Sequence, residues 1–149
     1  MSHQPSPTLP CLCATLRRTA RALTQLYEEA LRPLGLRSSQ FTILQVLWRM
    51  GEKSQGALGD ILAMDSTSLS RTLAIMRRRG WIAERRGKDR RERLLRIAAP
   101  GEALLHRGLP QWEKVQASLR AQLGDAAWEN LFQLNNHLTN ATAAQGGSL

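Results

Sequence analysis

Residues 65–96 contain a predicted amphipathic helix, DSTSLSRTLAIMRRRG, followed at once by a short arginine-rich hairpin. The apolar residues of the helix recur at steps of three and four, which places them on one face: Leu69, Leu73 and Met76. Gly80 is the expected terminator, because glycine readily adopts the left-handed conformation that ends many helices. Two segments with β character, 81–86 and 93–98, then flank the turn GKDRRE. This pairing of a helix with a basic hairpin limits the folds that the whole chain can adopt.

Helical periodicity continues on the N-terminal side of this unit. It predicts a long helix over about 10–34, a second over about 38–50 and a short third that begins at Lys53-Ser54. Three helices followed by a hairpin, over about 38–98, is the order of a winged helix-turn-helix. The predicted fold class is therefore mainly α with a small β-hairpin wing, in which N- and C-terminal dimerisation helices flank the winged helix-turn-helix.

Two more helices are predicted within 100–144, and Pro110 is expected to kink or break the first of them. The apolar stripes of the terminal helices are too long to be covered by a winged helix-turn-helix module of about 65 residues. A second subunit would bury them, and twofold symmetry would place two reading helices about one DNA turn apart. The predicted organisation is a disordered N-terminus at 1–9, one domain over 10–144 and a frayed tail at 145–149.

The chain carries 21 lysine and arginine residues against 12 acidic ones, a formal net charge of +9. Such a surplus favours a polyanionic partner, either nucleic acid or an anionic membrane surface. No apolar run approaches the roughly 20 residues that span a bilayer. The N-terminus MSHQPSPTLPCLC lacks the features of a signal peptide. We therefore expect a cytoplasmic protein with reduced cysteines and no membrane partner. A polar helix start beside a basic hairpin suits double-stranded DNA, with the helix in the major groove and the hairpin in the minor groove.

Three stretches of the chain resemble the multiple antibiotic resistance regulator (MarR) family: LGLRSSQFTILQVLW, LGDILAMDSTSLSRTLAIMRRRGWIAERR and DRRERLLRIAAPGEALL. The resemblance covers about residues 11–138, and the wing motif Asp89-x-Arg91 after a Gly-Trp-Ile strand start makes it specific. It implies a homodimeric winged-helix regulator, usually a repressor, that binds a pseudo-palindromic operator.

The resemblance also implies roles for individual residues. Arg71 matches the recognition-helix arginine that reads guanine, and a planar guanidinium can bond both acceptors of a guanine edge. Arg91 matches the wing arginine that enters the minor groove, and Asp89 would steady it through a carboxylate pair. Contacts to phosphates or bases are implied for Ser66, Thr67, Ser68 and Ser70. Unspecific attraction to phosphates is implied for Arg77, Arg78, Arg85, Arg86, Lys88 and Arg90.

Within the family, the stretch LCATLRRTARALTQLY is similar to the organic-hydroperoxide-sensing branch. That similarity implies that Cys13 is a peroxidatic cysteine, near a helix N-terminus that favours the reactive thiolate. It also implies that the Tyr27 hydroxyl bonds the thiolate. Arg17 and Phe41 stand where the branch has further tyrosines. Cys11 is additional, so the C-x-C pair can bind a thiophilic ion such as Cu(I) or arsenite, or supply a resolving thiol after oxidation of Cys13. Inert packing of both cysteines is the remaining alternative.

The leading functional prediction is a transcriptional repressor that is released by a small effector or by modification of Cys13 or Cys11. The alternative is an architectural protein that coats DNA without sequence preference. An enzyme that uses Cys13 as a nucleophile is disfavoured, because no histidine lies near Cys13 in the sequence. The three histidines are scattered, so the sequence predicts no histidine metal site and no cofactor.

Overall fold

The computed structural model describes residues 10–89 and 91–146. The disordered segment predicted at 1–9, residues 147–149 of the predicted tail and Arg90 lie outside the described residues. The elements are α1 (Leu12–Leu31), a 3₁₀ turn (Arg32–Leu34), α2 (Ser38–Met50), β1 (Lys53–Ser54), α3 (Gln55–Leu62), α4 (Ser66–Arg78), β2 (Ile82–Arg86), β3 (Arg93–Ile97), α5 (Ala99–Leu123) and α6 (Asp125–Gly146). This order confirms the predicted fold class, mainly helical with a small β wing.

The sheet has three antiparallel strands in the order β1-β3-β2, rather than the two of the predicted hairpin. β2 and β3 form the wing hairpin, in which Ile82 pairs with Ile97 and Arg86 with Arg93. β1 covers only Lys53 and Ser54, the residues predicted to begin the third helix, and pairs with the middle of β3. A strand of two residues has no periodicity of its own, so only its pairing with β3 reveals it.

The described residues up to Trp112 form one compact unit around an apolar cluster. α4 contributes the three apolar residues predicted for its inward face, and each of them is buried. The cluster also takes residues from the helices and strands around α4: Leu31, Phe41, Ile43, Leu44, Leu47, Leu58, Ile82, Leu95 and Leu105. Because α4 packs on this cluster along one face, its opposite face lies at the surface.

The sequence predicted a kink or a break at Pro110, and of these the break is wrong, because α5 runs through this residue as one continuous helix. A proline removes one helical hydrogen bond, but packing on both sides holds the helix. Gly108 lies tightly against the Phe41 ring, and the Trp112 ring centroid is 6.4 Å from that of Phe41. Within the described residues no helix is both long and apolar enough to cross a bilayer.

Residues 113–146 form the second compact unit, which contains the end of α5 and all of α6. The Trp128 and Phe132 rings pack edge to face at 5.2 Å. Arg120 and Asp125 form an ion pair of 2.6 Å where α5 ends and α6 begins. Even so, Phe132 is 53% exposed and Leu134 is 67% exposed. This unit therefore leaves large apolar side chains in contact with solvent.

Candidate nucleic-acid interface

The outward face of α4 carries polar side chains that begin at a well-capped N-terminus. Asp65 Oδ1 accepts a 2.9 Å hydrogen bond from the Ser68 amide. That bond lowers the pKa of Asp65, which keeps a negative charge at the positive end of the helix dipole. The predicted contact residues of this helix are all exposed: Ser66, Thr67, Ser68, Ser70, Arg71, Arg77 and Arg78.

The start of α3 lies against α4 and adds a residue that the sequence reasoning missed. Gln55 Nε2 donates a 2.6 Å hydrogen bond to Ser70 Oγ. Ser54 caps α3 by accepting a 3.1 Å hydrogen bond from the Ala57 amide, so Gln55 is fixed at the first helical position. A polar residue directly after a cap was the only signal in the sequence. The Ser70 hydroxyl is therefore oriented by Gln55.

The turn between β2 and β3 is held by backbone hydrogen bonds. The Gly87 amide donates to the Glu92 carbonyl at 2.8 Å, and the Glu92 amide donates to the Asp89 carbonyl at 3.0 Å. Asp89 Oδ1 accepts a 3.0 Å hydrogen bond from the Arg91 amide. The sequence predicted a carboxylate pair between Asp89 and the guanidinium of Arg91, but the bond found is to the backbone. Asp89 thus shapes the turn and leaves the Arg91 side chain exposed.

Two carboxylates near the wing bind arginines, and the sequence reasoning predicted neither. Glu84 of β2 accepts hydrogen bonds from Arg93 and Arg77, which together outweigh its burial and lower its pKa. Glu52 binds Arg85, with 2.9 Å between Arg85 Nε and Glu52 Oε1. Two of the arginines predicted to attract phosphate, Arg77 and Arg85, therefore already have a protein partner.

Other basic side chains of this region are free. Within residues 10–89 and 91–146, no hydrogen-bond or ion-pair partner exists for the side chains of Arg71, Arg78, Arg86, Lys88 and Arg91. All five side chains are exposed. The region therefore combines exposed hydroxyls on α4 with unpaired cations on α4 and the wing, an arrangement that suits a phosphate backbone.

The two cysteines lie at the start of α1. Cys11 is the residue before the helix, and Cys13 lies in its first turn; both are exposed, free thiols. Arg17 Nη2 donates to Cys13 Sγ at 3.5 Å, one helical turn away. Arg17, which stands where the hydroperoxide-sensing branch has a tyrosine, therefore places a cation beside the Cys13 thiol. Among the described residues no group of three or more His, Cys, Asp or Glu side chains is placed to hold a metal ion.

Tyr27 also lies on α1 but is not brought to Cys13. At 1.5 Å per residue, the two positions are about 21 Å apart along the helix axis. Burial raises the pKa of the Tyr27 hydroxyl above its ordinary value of 10.0, so the phenol stays protonated and can donate a hydrogen bond. Any contact between Tyr27 and a Cys13 thiolate would therefore need a second subunit.

Comparisons with known proteins agree with this geometry. A model of the MarR family matches residues 34–92, which include α2–α4, β2 and most of the wing turn. The HTH-type transcriptional regulator YwoH of Bacillus subtilis is 27% identical over 122 residues, which cover 80% of this chain and 89% of YwoH.

Solved structures with a similar fold include two protein–DNA complexes. The crystal structure of the M. tuberculosis transcriptional regulator MosR in complex with DNA is 36% identical to this chain, with a TM-score of 0.80. The match covers 90% of this chain and 97% of that one. An E. coli MarR mutant in complex with operator DNA has a TM-score of 0.77 at 20% identity, over 85% of this chain and 92% of that one. This second likeness is one of fold alone.

Proposed function

This chain belongs to the MarR family of DNA-binding transcriptional regulators, and from that premise we propose that it is a homodimeric repressor of a pseudo-palindromic operator. One observation carries the proposal: exposed hydroxyls and a free guanidinium on α4 lie in the same compact unit as a wing with unpaired cations. The MosR complex, which contains DNA, supports it by similarity. Members of this family are regulators rather than enzymes.

We assign the contacts by the chemistry of each side chain. Arg71, free and exposed on α4, reads a guanine edge in the major groove; a plain phosphate contact is the alternative. Arg91, exposed on the wing, enters the minor groove, where a narrow A·T-rich sequence concentrates negative potential. Phosphate contacts are assigned to Ser66, Thr67, Ser68, Arg78, Arg86, Lys88 and Arg90.

The test compares Arg71→Ala and Arg91→Ala on an operator found by genomic footprinting with the purified protein. Arg71→Ala should reduce discrimination against the wrong base by about 1–3 kcal/mol. Arg91→Ala should weaken binding to all duplexes and flatten the salt dependence. Arg21→Ala, which removes an exposed arginine of α1, is the matched control. If neither interface variant differs from that control, the contact assignment is wrong.

The same measurements separate a repressor from a DNA-coating protein. A regulator binds its operator about 10³–10⁷ times more tightly than random DNA. If the affinities for the operator and for a random duplex are nearly equal, the protein is instead an architectural protein that coats DNA. A reporter gene placed behind the operator then distinguishes repression from activation.

We further propose that oxidation of the Cys13 thiolate releases the DNA, because Cys13 is exposed at a helix start with Arg17 beside it. The thiolate sulfur attacks the terminal oxygen of an organic hydroperoxide and the O–O bond breaks; with one proton from solvent, the products are the sulfenic acid and the corresponding alcohol. The Cys11 thiol can then attack the sulfenic sulfur, forming a disulfide and releasing water. In a dimer, a Tyr27 hydroxyl from the partner subunit is a candidate donor to the thiolate.

Titration of the DNA complex with an organic hydroperoxide, a disulfide-forming oxidant and thiophilic ions tests the sensing proposal. Hydroperoxide should release wild type and leave Cys13→Ser bound, while Cys11→Ser should respond without forming the intrachain disulfide. Release by thiophilic ions alone would assign soft-ion binding to the C-x-C pair. Release that survives loss of both thiols would exclude the cysteines and indicate a small effector bound elsewhere.

A further inference from the structure

Glu84 connects the recognition helix to the wing through two arginines. Its Oε2 accepts a hydrogen bond from Arg77 Nη1 at the end of α4, and its Oε1 accepts one from Arg93 Nη1 at the start of β3. The Glu84 side chain is 16% exposed, whereas those of Arg77 and Arg93 are 37% and 69% exposed. One mostly buried carboxylate thus holds two guanidiniums that remain accessible from solvent.

The register of the hairpin explains why a carboxylate is needed at this position. Arg86 lies directly opposite Arg93, so two positive charges stand side by side. Glu84 lies opposite the buried Leu95 and on the same face of β2 as Arg86. One oxygen of the Glu84 carboxylate therefore offsets the positive charge of Arg93, its diagonal neighbour across the strands. The other oxygen binds Arg77 of α4.

We infer that Glu84 sets specificity by withholding Arg77 and Arg93 from DNA phosphates. The inference rests on the proposed DNA-binding function. Arg77 precedes the unpaired Arg78 on α4, and Arg93 faces the unpaired Arg86 across the hairpin, so both lie among cations that we assign to phosphates. Without the carboxylate, each would add a sequence-independent contact.

Additional phosphate contacts would favour complexes with non-cognate DNA over the complex with the operator. A protein bound to its operator is fixed by base contacts, so only phosphates at set positions are within reach. A protein bound to random DNA can shift along the duplex to the register in which the largest number of its free cations meet phosphates. Releasing Arg77 and Arg93 should therefore strengthen non-cognate binding more than cognate binding, and lower the specificity ratio.

The experiment compares the full-length wild type with Glu84→Gln on the operator and on a random duplex of equal length, over a range of salt concentrations. On the random duplex we expect the slope of log K against log salt to steepen by about 0.9 for each arginine released. Non-cognate affinity should rise by roughly threefold to tenfold at moderate salt. Equal weakening on both duplexes, or an unchanged slope, would overturn the inference, since a purely structural role predicts those results.

Arginine variants give a second measurement that does not depend on the folding of Glu84→Gln. Arg77→Met and Arg93→Met, made one at a time, should leave the slope on random DNA nearly unchanged. The matched controls Arg78→Met and Arg86→Met should each reduce the slope by about 0.9. If Arg77→Met and Arg93→Met reduce the salt slope as much as the two controls do, Arg77 and Arg93 already contact phosphates and the inference is wrong.

The outcomes also separate this inference from the proposed function. A wild type that binds neither duplex, or binds without salt dependence, would refute DNA binding itself. If the wild type binds DNA with a normal salt slope, but neither Glu84→Gln nor the arginine variants change that slope as expected, only the role of Glu84 would be refuted.

Discussion

Gly101 lies where α5 meets the backbone at Trp81, and the contact leaves no room for a side chain. A Cβ at this position would overlap the Trp81 carbonyl oxygen and lie 3.1 Å from Leu44 Cδ2. Gly56, on the exposed side of α3, has nothing within 4 Å of the same point. Both glycines lie within helices, so the difference between them is one of packing.

We expect Gly101→Ala to lower the free energy of unfolding by about 1–3 kcal/mol, because the added methyl forces α5 away from the Trp81 backbone. Gly56→Ala should raise the free energy of unfolding by about 0.5–1 kcal/mol, since alanine loses less conformational freedom in a helix. Urea unfolding followed by circular dichroism measures both. If the free energy of unfolding changes in the same direction in both variants, the close packing described at Gly101 is wrong.

Arg71 and Arg77 show what a sequence can and cannot reveal about the candidate site. Both are arginines of one predicted helix, and the sequence predicted both at the interface, Arg71 as a base contact and Arg77 as an unspecific phosphate contact. The fold leaves Arg71 free but gives Arg77 the carboxylate of Glu84, which a change of chain direction at Gly80 brings back to α4. Periodicity predicts which residues lie on a surface, whereas their partners depend on tertiary contacts.

At the scale of elements, α1, α2 and α4 meet at residues 35–38. Glu28 of α1 accepts 2.8 Å hydrogen bonds from the amide and the hydroxyl of Ser38, at the start of α2. Arg79, at the end of α4, donates a 3.3 Å hydrogen bond to the Gly35 carbonyl and lies 4.9 Å above the Trp81 ring. Polar contacts at residues 35–38 therefore connect α1 and α2 with the end of α4.

Glu28 also gives this junction a dependence on pH. Its burial opposes ionisation, but hydrogen bonds from Ser38 and Arg37 outweigh that effect, so the pKa of Glu28 lies below its ordinary value of 4.5. A carboxyl whose pKa is lower in the folded state stabilises the fold above its unfolded-state pKa. That stabilisation is lost as the pH falls through the folded-state pKa.

Glu28→Gln should therefore lower the free energy of unfolding at pH 7 by about 1–2 kcal/mol, because hydrogen bonds to charged groups contribute about 1.5–3 kcal/mol and partial exposure of Glu28 reduces that contribution. The difference from wild type should shrink as the pH falls below 4.5. Urea titrations at several pH values measure it. Glu29→Gln, which changes the exposed neighbour, is the matched control. If the difference in unfolding free energy between Glu28→Gln and wild type does not change with pH, the ionised Glu28 carboxylate is not what stabilises this junction.

The elements themselves were predicted with unequal success. Helical periodicity located α2 and α4 to within a residue or two, because each packs an apolar face on the core. It missed β1, which exists only through its pairing with β3. It also predicted a kink or a break at Pro110, and contacts on either side of the proline keep α5 continuous there. Both errors arise where contacts distant in sequence override a local preference.

At the scale of the whole molecule, α6 is the feature that a single chain leaves unexplained. Three of its large apolar residues are exposed: Leu131, Phe132 and Leu134. Burying one such side chain contributes about 1.5–3 kcal/mol, so an apolar face of this kind favours association. The proposed homodimer would cover it, and would also supply the second reading helix that a pseudo-palindromic operator requires.

Phe132→Glu should convert the protein from twice its chain mass of 16.7 kDa to a single chain, because the new carboxylate would be buried in the interface. Operator affinity should fall steeply, and the salt slope should approach half its wild-type value, since one chain carries half the phosphate contacts. Gln133→Glu adds the same charge 100° further around the helix, away from the apolar face, and should remain dimeric. Light scattering coupled to gel filtration measures the masses, and filter binding measures the slopes. A wild type that elutes at a single chain mass, yet binds its operator with full affinity, would remove the need for a partner and leave α6 without a role in DNA binding.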